Sequence, residues 1–169
     1  MNLADQYRQM HKEGRFKGHS LTQYAGEIRD LIKQTGSTSL IDYGCGKAIE
    51  YVRHKIHESW GITELALYDP YCEAHDKKPT GNFDGLVCTD VLEHVEPSEL
   101  CMVLADIFSY SSKFIFLGIS TKEAHKKLPD GRNAHLIVEP PEWWNGTIQA
   151  YINSAKKMNK SLKVVVKYV

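Results

Sequence analysis

No uninterrupted apolar stretch in this chain approaches the roughly 20 residues that a membrane-spanning helix needs. Nor is there an excess of charge of either sign, because 21 Lys and Arg offset 21 Asp and Glu. A protein that lives on nucleic-acid phosphates concentrates basic side chains. Nucleic acid is therefore expected as a substrate only with a partner that supplies the basic surface. The basic clusters "KEAHKK" from Lys122 and "KKMNKSLK" from Lys156 read as solvated surface. Cysteine is scarce: Cys45, Cys72, Cys88 and Cys101 show no paired zinc-type spacing. The C-x-x-H of Cys72 and His75 stands alone, and two ligands do not close a coordination sphere, so no metal centre and no disulfides are expected. Repeats, low-complexity linkers and signal-peptide patterns are all missing, the N-terminus reading "MNLADQYRQMHKEG". These absences leave one expectation: a cytoplasmic protein with a single domain over residues 1–169, a length that suits one core.

Short apolar runs alternate with amphipathic stretches. "TSLIDY", "TELALYDP", "FDGLVCTD", "KFIFLGIS" and "SLKVVVKYV" read as strands, rich in β-branched and aromatic residues. Leu21, Tyr24, Ala25, Ile28, Leu31 and Ile32 keep helical spacing behind a capping box of Ser20 and Gln23. Residues 47–58 read as a helix with Ala48, Ile49, Val52 and Ile56 on one face. A helix carrying Leu100, Val103, Leu104, Ile107 and Phe108 follows Pro97, and another runs from Glu142 to Met158. Residues 1–19 are polar and read as an arm. Strand–helix alternation implies right-handed crossovers and a mainly parallel sheet covered on both faces. Ligands of such sheets sit beyond the carboxyl ends of the strands, which directs attention to Asp42–Lys47, Asp69–Tyr71, Thr89–His94 and the residues from Ser120.

The first of these turns, "LIDYGCGKAIEY", has glycine at 44 and 46. Glycine adopts backbone angles that a β-carbon forbids and lets a ligand approach the main chain, while the following helix start offers unpaired amides. The dinucleotide fingerprint would place a further glycine at position 49, where Ile49 stands. The D-x-G-x-G-x-A spacing of "DYGCGKA" instead resembles motif I of the class I S-adenosylmethionine-dependent methyltransferases. "LALYDP" puts Asp69 where that family keeps an acid for the ribose hydroxyls. "FDGLVCTDVLEHV" resembles the family's fourth strand and the turn after it, and "HLIVEPPEWW" is weakly similar to the segment before a late helix. The resemblance runs from about Phe16 to the last strand. It implies a three-layer Rossmann-like α/β fold, S-adenosyl-L-methionine as cofactor, and methyl transfer to a small-molecule, sugar or nucleotide-like acceptor. Two departures stand out. Ala48 replaces a third glycine, and residues 70–82 leave little room for the family's second crossover helix and third strand, so that region is expected to be trimmed. Asp76, Thr80 and Asn82 all remain open as readers of the adenine.

The resemblance implies roles for individual residues. Asp42 would order the turn and favour the cofactor's amino group. Gly44, Cys45, Gly46 and Lys47 would present the main chain, and Asp69 would clasp the ribose. Pro70 and Tyr71 follow, the tyrosine able to stack on the adenine. Asp90 and Val91 would line the sulfonium side, and Phe16, with Tyr7, His11 and Ser20, could close over the methionine part as a lid. His94 is either a general base or a structurally satisfied imidazole. "PDGRNAH" is an unusual polar concentration: His135 joins His94 as a candidate base with Asp130 behind, and Arg132 and Asn133 are candidates for substrate recognition. Trp143 is either a pocket wall or, with Trp144, a packing aromatic. Two further readings stay open, a cofactor-binding regulator without transferase activity and a nucleic-acid methyltransferase acting with a partner. A dinucleotide-dependent oxidoreductase fits the turn less well.

Overall fold

The computed structural model describes residues 1–16 and 19–169; Lys17 and Gly18 of the expected arm lie outside the described residues. Five strands form one sheet: β1 (Ser39–Tyr43), β2 (Glu64–Tyr68), β3 (Phe83–Thr89), β4 (Ser111–Ile119) and β5 (Lys163–Tyr168), in the order β2-β1-β3-β4-β5. Every pairing is parallel. Helices α2 (Ala25–Thr35), α3 (Ile49–Val52) and α4 (Ile56–Ser59) cover one face, and α5 (Leu100–Ser109) and α6 (Pro141–Met158) cover the other. The fold is thus α/β, three-layered and Rossmann-like. Residues 70–82 hold no strand, so β2 is a sheet edge and the expected trimming is seen.

Alternation along the strands builds two cores. Ile41, Leu86, Cys88, Ile115, Leu117 and Ile119 face α5 and α6, where Leu104, Ile107 and Trp144 are fully buried. Leu40, Val87, Phe114 and Phe116 face Ile28, Leu31 and Ile32 of α2. Strands covered on both faces must be apolar on both, which is why these segments read as near-continuous hydrophobic runs. No helix of the described residues is long and apolar enough to cross a membrane.

Three local expectations are corrected. Residues 47–58 form two single-turn helices rather than one, because Ala48 (φ 50°) and Lys55 (φ 49°) sit in the left-handed region and interrupt the ladder. Val52 accordingly points outward, 61% exposed. The Ser20 capping box does not form. Ser20 opens a 3₁₀ turn (Ser20–Tyr24), and its hydroxyl reaches the Thr89 carbonyl and hydroxyl at 3.4 and 3.3 Å. Lastly, the polar arm contains a helix, α1 (Leu3–Lys12), capped by Asn2 Oδ1 accepting from Asp5 N at 2.8 Å. Tyr7 and Met10 on its inner face are buried against Leu128 and Ala134.

Gly85 of β3 shows how tightly the sheet meets the α2 layer: a β-carbon there would overlap the ring of Phe114, which is fully buried. Gly85→Ala must displace that ring. The expected outcome is a loss of about 1–3 kcal/mol in urea unfolding. Unchanged stability would mean that the ring has room the packing denies.

Candidate functional site

The loops after β1 and β2 are joined before any ligand is considered. Gly44 N and Cys45 N both donate to Tyr68 O, the last carbonyl of β2, at 2.7 and 3.1 Å. Gly46 N donates to Asp69 Oδ2 and Tyr71 N to Asp69 Oδ1, each at 2.9 Å. One buried carboxylate therefore takes an amide from each loop. Gly44 (φ 88°) is bare for a reason beyond its angle, since a β-carbon there would collide with the side chain of Val91. The long helix expected to aim its dipole at this turn is a single turn, α3, so the local amides carry the polarity.

A cavity of about 560 Å³ opens at this edge of the sheet. Its floor is Asp42, Gly44, Cys45 and Gly46; its sides include Asp69, Pro70 and Tyr71 and the β3 turn of Asp90 and Val91. Tyr7, His11 and Phe16 close over it from the N-terminal segment. Tyr7 stacks on Tyr71 with ring centroids 5.4 Å apart, and Lys126 lies 4.9 Å over the Phe16 ring. His11 Nε2 stands 3.9 Å from Asp69 Oδ2, and burial lowers the His11 pKa against the opposing pull of Asp69. Asp42 is only 5% exposed. Burial pushes its pKa up to about 7, with the nearby Tyr51 hydroxyl pulling it down and Asp69 adding to the rise.

Beyond β3, the chain turns sharply at Asp90, a non-glycine residue at φ 60°. His94 and His135 meet edge to face there, with ring centroids 4.7 Å apart. His94 Nδ1 lies 2.7 Å from Ala134 O, and His135 Nδ1 lies 2.6 Å from Lys122 O. A carbonyl only accepts, so both Nδ1 atoms carry the hydrogen and donate. Burial holds the His94 pKa down at about 4, leaving a neutral ring with its Nε2 lone pair free. Glu93 behind them is fully buried, its Oε1 accepting from Ser120 N at 2.6 Å. Burial, then the Asp90 carboxylate, raises its pKa to about 8.

Most residues expected at the cofactor do line the cavity: Phe16, Asp42, Gly44, Cys45, Gly46, Asp69, Pro70, Tyr71, Asp90 and Val91, together with His94. Lys47 does not; it is exposed, and its Nζ turns toward Gly14. His135 is not on the cavity wall but touches His94 from behind. Asp130 is not behind the histidines. It bonds Gln6 Nε2 at 2.9 Å and Arg132 Nε at 3.0 Å, tying α1 to the loop. Arg132 is spent on Asp130 and Glu96, and Asn133 staples Ala124 and the His135 amide. Neither reaches the cavity, and nor does Trp143, which rests edge-on against Trp144. Asp76, Thr80 and Asn82 are likewise exposed and away from it. Sequence reasoning missed Arg15, Glu50, Glu99, Val103 and Lys126 on the wall. Glu99 and Val103 stand four apart at the start of α5, a spacing that could have marked a shared face.

No family model and no curated protein matches the chain.

The raised pKa of Asp42 has a consequence for stability. An unfolded aspartate titrates near pH 4. Between about pH 4 and 7 the folded state therefore holds a proton the unfolded state has lost, and the Asp42 contribution falls as pH rises through that window, then stays level. Asp42→Asn, always neutral, should unfold at higher urea than the wild type, by a margin that grows from pH 5 to pH 8. A margin independent of pH would mean that Asp42 does not ionise in isolation from solvent.

Proposed function

We propose that the protein is an S-adenosylmethionine-dependent methyltransferase acting on a small-molecule, sugar or nucleotide-like acceptor. The observation that carries this reading is the charge of the cavity. Among the described residues, Asp42, Glu50, Asp69, Asp90 and Glu99 line it, against Arg15 and Lys126 of the lysines and arginines. A dinucleotide brings a doubly negative pyrophosphate, which this wall would repel. S-adenosylmethionine brings a sulfonium and an ammonium against one carboxylate, a net cation that this wall attracts. A nucleoside also suits the furniture of the site. Asp69 keeps acceptor capacity beyond its two amide bonds, since an ionised carboxylate has about four lone-pair positions, and ribose hydroxyls can use the remainder. Tyr71 offers an aromatic face for a base.

The chemistry asks little of the protein beyond placement. A methyl group on a sulfonium already has an excellent leaving group, so the enzyme must align an acceptor in line with the breaking S–CH₃ bond and keep water out. The acceptor's lone pair forms the new bond to carbon while the S–CH₃ pair returns to sulfur, leaving a neutral thioether. Residues at the end of β3 flank the place where this must happen. Tyr7, His11 and Phe16 supply the cover, which has to open for exchange.

Calorimetry on chelator-treated protein tests the reading. S-adenosylmethionine and its demethylated product should bind in the micromolar range, and a folded protein that binds neither removes the assignment. Asp69→Asn, which keeps an oxygen for one amide but drops the charge, should weaken binding by about 1.5–3 kcal/mol, roughly 10- to 150-fold. Affinity for S-adenosylmethionine should also rise with pH up to about 7, because the cation prefers ionised Asp42 and below that pH the carboxyl must first lose its proton.

A further inference from the structure

We infer that Asp90, His94 and His135 form a binding site for a first-row transition-metal dication at the carboxyl end of β3. One ligand atom from each lies within 4.8 Å of the others. The Nε2 atoms of His94 and His135 each stand 3.9 Å from Asp90 Oδ1. That distance is too long for a hydrogen bond, so the imidazoles are not satisfied by the carboxylate they face. A tetrahedral ion bound at about 2.1 Å would separate its ligand atoms by roughly 3.4 Å. Each Asp90–histidine pair is thus about half an ångström wide of that spacing, and the whole set stays within 4.8 Å, a gap that side-chain rotation can close.

Two further features prepare these residues for the task. Both histidines have their far nitrogens fixed by backbone carbonyls, Ala134 O and Lys122 O, which leaves each Nε2 with a free lone pair 3.9 Å from the same Asp90 oxygen. This arrangement is the one metal-ligating histidines use to set tautomer and ring angle. Independently, Glu93 is fully buried beside Asp90, and its Oε2 has no hydrogen-bond partner among the described residues. A second buried carboxyl group with an unmatched oxygen next to a His₂Asp cluster is a polar atom left unsatisfied beside the three candidate ligands. Two imidazoles and a carboxylate suit Mn²⁺, Fe²⁺, Co²⁺ or Zn²⁺; Mg²⁺ and Ca²⁺ prefer all-oxygen shells.

Three protein ligands leave coordination positions for exchangeable groups. Asp90 and His94 line the cavity, so an oxygen of the methyl acceptor can complete the coordination there. That last role rests on the proposed function; the cation site itself does not.

The test is a titration of chelator-treated, dialysed protein with Co²⁺ in the absence of any nucleoside, followed by visible ligand-field absorption and calorimetry. One equivalent should saturate the signal. His135→Ala should weaken binding by 100-fold or more, and so should Asp90→Asn, chosen because asparagine tolerates the left-handed backbone at that position. His54→Ala, at an exposed histidine outside the cluster, should leave the titration as it was. Absence of a saturable signal in the wild type overturns the proposal even if a variant fails to fold. Equal affinity in a folded His135→Ala overturns it as well, assigning the signal to adventitious surface histidines. Because nucleoside binding is measured on metal-free protein and Co²⁺ binding on nucleoside-free protein, either reading can fail without the other.

Discussion

The Asp69 carboxylate is where the architecture of the sheet becomes the architecture of a site. Its two oxygens take the amides of Gly46 and Tyr71, one from the loop after β1 and one from its own loop after β2. Hydrogen bonds to a charged acceptor contribute about 1.5–3 kcal/mol each. Here they help fix the relative position of the two loops. Tyr68 O reinforces the link by accepting Gly44 N and Cys45 N. The result is a turn whose amides are already oriented, so a ligand entering the cavity need not bear the entropy of ordering them. The same carboxylate lies near His11 on α1, which couples the floor of the cavity to its cover.

The cover depends in turn on the polar loop that follows β4. Gln6 exchanges hydrogen bonds with Asp130, its amide nitrogen donating to the carboxylate and its oxygen accepting from Asp130 N. Tyr7 donates to Ala134 O at 2.8 Å, the same carbonyl that orients His94. The concentration of polar residues in "PDGRNAH" is therefore structural for the most part. Asp130, Arg132 and Asn133 hold a loop that has no regular ladder of its own, and buried backbone groups must find partners somewhere. Only His135 from that group turns toward the β3 end.

How far the sequence alone led differs by element. The five strands were legible because strands buried on both faces have no choice but to be apolar, and the trimmed edge followed from the few residues between Asp69 and Phe83. The break at residues 47–58 was not legible: left-handed angles at Ala48 and Lys55 carry no local signature, since neither residue is a glycine or an asparagine. The helix in the N-terminal arm did leave a trace, with Leu3, Tyr7 and Met10 at helical spacing, but its polar neighbours masked it. Site residues that directly follow strands were found, because topology alone puts them at the same edge. Glu99 and Lys126 reach the cavity from a helix start and a distant loop; the spacing of Glu99 and Val103 marks a shared helix face, but nothing in the local sequence of Lys126 marks its convergence on the site.

Charge is distributed here in a way the whole-chain balance conceals. The protein is neutral overall, yet its interior edge gathers carboxylates whose ionisation the fold resists: Asp42 and Glu93 are both pushed upward by burial. Burying such groups destabilises the empty protein, and a core built for stability alone would replace them with apolar residues. Their presence at the edge where a parallel sheet binds ligands makes sense if their charge, once ionised, is balanced by something that arrives. A cation within a few ångströms favours the ionised carboxylate by the same Coulombic interaction that two neighbouring acids make unfavourable. The raised pKa of the empty site and its affinity for a positively charged ligand then both reflect one quantity, the free energy of ionising a buried carboxyl group.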